Sequence, residues 1–101
     1  MKKAIILLAV FLSLTTIIAE EPLEINLIKG KNNLTIYENF YSIYASQLIE
    51  RYPEIESITL FEYGNNFGYV NVFGGVGTNF FFEPTKKYEI TTNKNITLYL
   101  R

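Results

Sequence analysis

Leu23, Ile25 and Leu27 alternate with Glu24 and Asn26, the two-residue period of a strand buried on one face. The glycine and asparagines of residues 30–33 then predict a turn. Beyond them the period changes. Thr35 followed three residues later by Glu38 has the spacing of a capping box. From there Phe40, Tyr41, Tyr44, Ala45, Leu48, Ile49 and Tyr52 recur on one side of a helical projection, with Ser42, Ser46 and Glu50 opposite. The pattern predicts an amphipathic helix running to about Arg51, because Pro53 forces Tyr52 out of helical geometry. Reading residues 34–37 as a second strand delays the start of that helix by about three residues.

Residues 55–63 and 67–73 predict a hairpin around Gly64, Asn65 and Asn66. A three-residue loop opposes Tyr63 to Phe67, Phe61 to Tyr69 and Thr59 to Asn71 on one face, and Leu60 to Val70 and Ile58 to Val72 on the other. A two-residue loop through Asn65 and Asn66 mixes polar with apolar partners, since a one-residue slip exchanges the faces of a strand. The three-residue loop is therefore the expectation. It gathers Phe61, Tyr63, Phe67, Tyr69 and Phe73 on one side as a candidate binding face. The competing reading is that these aromatics are core, packed by the helix or by curling of the sheet.

Gly74, Gly75 and Gly77 predict a second turn, and residues 80–82 a short strand with aromatics on both faces, ended by Pro84. Residues 88–91 and 95–100 predict a last hairpin around Asn93 and Lys94. The expected fold is α+β, with one amphipathic helix packed on a mostly antiparallel sheet of five or six short strands.

The first twenty residues have a different character. Lys2 and Lys3 precede an apolar run over residues 4–14 that continues to Ala19, followed by Glu20 and Glu21. This is the layout of a secretory signal, shorter than the ~20 apolar residues of a comfortable membrane span. Residues 1–19 are expected to be a signal peptide cut after Ala19, or an anchor if they are retained. Residues 20–101 are expected to form a single small α+β domain, periplasmic or extracellular. No cysteine is present to brace it, so core packing or self-association must compensate for its size.

Charge and composition remove whole classes of function. Without the leader the chain has seven basic and ten acidic residues, a net charge of minus three, and the only adjacent cations are Lys86 and Lys87. A phosphate-reading surface needs a basic stripe, so no nucleic-acid partner is expected; a membrane contact is expected only if the leader stays as an anchor. The chain has no histidine, cysteine or aspartate, which removes imidazole bases, thiol nucleophiles and most metal centres. No cofactor and no enzymatic activity are expected. The remaining catalytic option is a glutamate pair acting on a glycan, drawn from Glu54, Glu56, Glu62, Glu83 and Glu89; solvated surface carboxylates are the better reading. The run from Phe73 to Thr78 looks like a phosphate loop but lacks the lysine before the threonine and a following helix. Asn33-Leu34-Thr35 and Asn95-Ile96-Thr97 match the N-glycosylation pattern, which chance alone supplies about once in such a chain. The functional expectation is a small exported binding or interaction domain whose partner is a protein or a second copy of itself, with a glycan bound on an aromatic sheet face as the alternative.

Overall fold

The computed structural model describes residues 21–101, so the leader reading of residues 1–19 lies outside the described part. The order of elements is β1 (Leu23–Leu27), β2 (Gly30–Thr35), β3 (Ile43–Tyr44), α1 (Ala45–Arg51), β4 (Ile55–Glu62), β5 (Asn65–Val70), β6 (Val76–Gly77), β7 (Phe81–Phe82), β8 (Lys87–Thr92) and β9 (Ile96–Leu100). Over the described residues the fold is mostly antiparallel sheet with a single short helix, broadly α+β. Among the described residues no helix is long and apolar enough to cross a membrane.

A five-stranded sheet in the order β2-β8-β4-β5-β6 forms the body, with two-stranded sheets β1-β9 and β3-β7 beside it. Its centre is β4, whose Ile55, Ile58 and Leu60 are buried while Glu56 and Phe61 are exposed. Across the sheet Ile58 lies between Ile90 and Tyr69, and Leu60 between Tyr88 and Phe67. These rows, with Phe82, Leu98, Leu100 and the helix residues Ala45, Leu48 and Ile49, make one hydrophobic core. Burying a side chain of this size contributes about 1.5–3 kcal/mol, so this core is the main term available to a chain with no disulfide.

Residues 88–91 and 95–100 do not form the expected hairpin. β8 pairs with β2, and β9 with β1, so residues 23–35 and 87–100 run as one long antiparallel ribbon interrupted by a corner. The corner explains the asparagines that read as turn signals. Where the ladder breaks, its backbone groups must find other partners. Asn32 Oδ1 accepts from the Ile28 N–H at 2.9 Å, and Asn32 Nδ2 donates to the Ile28, Gly30 and Ile90 carbonyls. Asn95 Oδ1 accepts from the Lys29 N–H, and the buried Thr92 hydroxyl donates to the Ile28 carbonyl. The expected turn at residues 30–33 is thus strand, entered from the corner at Ile28 and Lys29.

The long amphipathic helix is also absent. Thr35 and Leu34 pair with β8, which removes the proposed cap, and Ile43 and Tyr44 pair with β7, so only Ala45–Arg51 is helical. Four aromatic or β-branched residues among residues 40–44 are poor helix formers and suit extended backbone. Consequently Tyr41 and Tyr44, placed by periodicity on the buried side, are exposed. The first donors of the short helix are met: Tyr44 N–H by Gln47 Oε1 from its own first turn, and, from outside, Ala45 N–H by the Phe80 carbonyl and Ser46 N–H by Asn79 Oδ1.

Candidate functional site

The hairpin of β4 and β5 takes neither register weighed from sequence. Leu60 opposes Phe67, Phe61 opposes Asn66 and Glu62 opposes Asn65, which leaves a two-residue loop of Tyr63 and Gly64. Both have positive φ, 51° and 74°, the twist that a two-residue hairpin needs to match its strands. Tyrosine is not a residue that advertises this geometry, so the loop was placed too late in the chain.

This register dissolves the expected five-aromatic face. Phe67 and Tyr69 point into the core opposite Leu60 and Ile58, while Phe61 lies on the other side of the sheet with Thr59 and Ser57. Tyr63 stands at one turn, 93% exposed, and Phe73 at another, 100% exposed. The sheet brings Phe67 and Tyr69 together and separates the other three. These five residues therefore do not form one flat aromatic platform. Of the candidate glutamates, Glu62 and Glu83 come together through Lys86, whose Nζ lies 3.0 Å from Glu62 and 2.8 Å from Glu83. Hydrogen bonds donated to Glu83, then to Glu62, hold the Lys86 ammonium above the ordinary lysine range. Burial pushes the neighbouring Tyr88 phenol up, partly offset by the Glu83 N–H that donates to it at 2.8 Å. That cluster fastens the loop before β8 to the end of β4.

The better-built feature is the turn between β5 and β6. Val70 pairs with Val76, and with Val72 and Phe73 they give four large apolar residues exposed over seven positions. The turn that carries them is held on every side. Val72 N–H donates to the Val70 carbonyl and Gly75 N–H to that of Val72, while Asn71 N–H donates to the carbonyl of Glu56, where β4 bulges against β8. Asn71 Nδ2 donates to the Pro53 and Ile55 carbonyls as well. Beneath lies buried Tyr69, whose hydroxyl occupies the space that a Cβ on Gly75 would need, so that position admits only glycine.

Phe73 is therefore displayed by a rigid support, and at a cost. Its φ of 51° places a bulky residue in the left-handed region, where strain is of order 1–3 kcal/mol. Beside it opens a cleft of about 340 Å³ between this turn and α1, lined by Ile49, Pro53, Tyr69 and Gly75 below, with Ser46, Glu50 and Asn71 among its polar groups. The expected register sets Val70 and Val72 opposite Leu60 and Ile58, away from the aromatics, whereas in the structure Val70 opposes Ser57 and both valines are exposed. The signal that survives in the sequence is Phe73 directly before Gly74 and Gly75.

Two other exposed features are weaker. Tyr44 and Phe81 stack at 4.2 Å on the outside of β3 and β7, but each ring uses a face on the other. The cleft of about 640 Å³ at Glu21, Pro22 and Arg101 sits where the described residues begin. No protein-family model, no curated protein and no solved structure matches this chain.

Proposed function

We propose that the chain is a small exported domain that acts by binding a protein partner, without chemistry of its own, and that the β5–β6 hairpin is its contact element. The observation that carries the reading is Phe73: a fully exposed phenylalanine on strained backbone, at the tip of a turn that hydrogen bonds and a buried phenol hold in place. Solvent exposure of a large ring gains nothing in the isolated molecule. A rigid aromatic with aliphatic neighbours is the usual composition of the few residues that dominate a protein interface. Support without flexibility also lowers the entropy lost on binding. Export rests on the leader of residues 1–19, with its two lysines and apolar run.

The test is site-specific photo-crosslinking in cells. A crosslinking residue at Val72 is expected to give a discrete adduct that disappears when Phe73 is also replaced by Asn, while the same residue at Tyr63 gives none. Equal adducts from both positions, or an adduct at Val72 indifferent to Phe73, would remove the hairpin as the contact element. Recovery of the chain in the cytosolic fraction with Met1 attached would remove export.

A further inference from the structure

The cleft beside Phe73 has a chemistry of its own. Its lining is largely apolar, made by Ile49, Pro53 and the ring of Tyr69, whose hydroxyl lies against Gly75. At its rim Asn71 Nδ2 is spent on the Pro53 and Ile55 carbonyls, while the Ser46 hydroxyl accepts from Asn79 Nδ2 and keeps its own O–H. The Glu50 carboxylate and Asn71 Oδ1 have no hydrogen-bond donor among the described residues, and both only accept. Glu50 is the one charged residue in the lining, is exposed, and has no ion-pair partner among the described residues, where the only ion pairs are those of Lys86.

A largely apolar lining leading to unengaged acceptors fits a long side chain with an aliphatic stem and a cationic head. We infer that this cleft receives a lysine or arginine of the partner protein, next to an apolar residue of that partner that packs on Phe73 and Val72. The inference rests on the binding reading given above and specifies its partner. Charge decides between occupants. A second copy would bring two Glu50 carboxylates towards a twofold axis with no cation in the lining to separate them, which is repulsive. An anionic membrane surface meets the same carboxylate, with Glu54 and Glu56 close by in the chain. A basic, partly apolar protein segment meets no such opposition.

The experiment is selection of a random twelve-residue peptide display library on the exported protein, followed by affinity measurement of the selected peptides at low and physiological salt. Peptides carrying Lys or Arg beside an apolar residue are expected, with affinity reduced roughly tenfold by Glu50→Gln and more by Glu50→Lys, in a salt-dependent way. Phe73→Asn is expected to abolish the binding of the same peptides. Selected peptides without basic residues, binding unchanged in Glu50→Lys, self-association through the hairpin, or failure to select any peptide would each overturn the inference. Loss of binding in Phe73→Asn with indifference to Glu50 would overturn the cationic occupant alone and leave the hairpin reading standing.

Discussion

Two turns at opposite ends of β5 place an aromatic residue at the same backbone angle, φ 51°, and both rings stand almost wholly in water. They are otherwise unlike. The Tyr63 turn is the shortest connection that two twisted strands allow, and a Cβ on its Gly64 would meet nothing within 4 Å. The Phe73 turn is longer than its connection requires, is tied through Asn71 to the bulge of β4, and rests on a buried phenol that leaves no room at Gly75. The Tyr63 end is also secured by charge, through Lys86 on the adjoining Glu62, whereas the Phe73 end is secured by neutral packing and backbone hydrogen bonds. A shared conformation thus has two physical origins. At Tyr63 it follows from closing a hairpin; at Phe73 an elaborate support holds a ring that has no partner among the described residues.

The comparison predicts unequal responses to substitution. Removing the support is the most damaging change: Tyr69→Ala takes away a buried aromatic and is expected to cost about 3–5 kcal/mol in chemical denaturation. A loss below ~1 kcal/mol would mean that the Phe73 turn does not rest on that ring. Next comes the pair of glycine substitutions. Gly75→Ala introduces both a positive-φ penalty, at φ 111°, and an overlap with the Tyr69 hydroxyl, with an expected loss of about 2–3 kcal/mol. Gly64→Ala has only the backbone penalty, about 1 kcal/mol. Equal costs at the two glycines would erase the distinction between the turns.

The smallest effect is that of alkaline pH. The folded state holds the Lys86 and Tyr88 values above their ordinary 10.5 and 10.0, so it retains protons that the unfolded chain releases. Stability from these groups is complete below about pH 10 and is lost as pH rises through their folded values. The urea midpoint is expected to fall between pH 8 and pH 11, and to fall less in Lys86→Met. At neutral pH that variant should lose no more than about 1 kcal/mol, since its ion pairs are partly solvated. A midpoint rising with pH would contradict the assignment of both groups.

What the sequence disclosed followed from residues whose local preference agreed with their tertiary setting. The strand over residues 55–62, the glycine turn after Phe73 and the two-faced phenylalanines before Pro84 are all legible in that way. Three elements were not. Thr35 and Glu38 have cap spacing by coincidence, because pairing with β8 claims Thr35 first. Asn32, Asn93 and Asn95 signal a break in the ladder, but the same residue type closes a hairpin or plugs a corner, and only long-range pairing tells which. The register of β5 turned on a tyrosine with positive φ, for which no local signal exists. One wrong turn residue then moved every side chain of the strand, and with them the candidate face.

The claim at the centre is that strain at Phe73 is retained for contact while strain at Tyr63 is incidental. Asparagine tolerates the left-handed region, so Phe73→Asn and Tyr63→Asn should each raise stability, by about 0.5–1 kcal/mol. Measuring the urea midpoint and the Val72 photo-crosslink side by side in both variants separates the two turns. The expected result is two more stable proteins, of which only Tyr63→Asn still forms the adduct. A Phe73→Asn protein that keeps the adduct, or a Tyr63→Asn protein that loses it, would contradict the account.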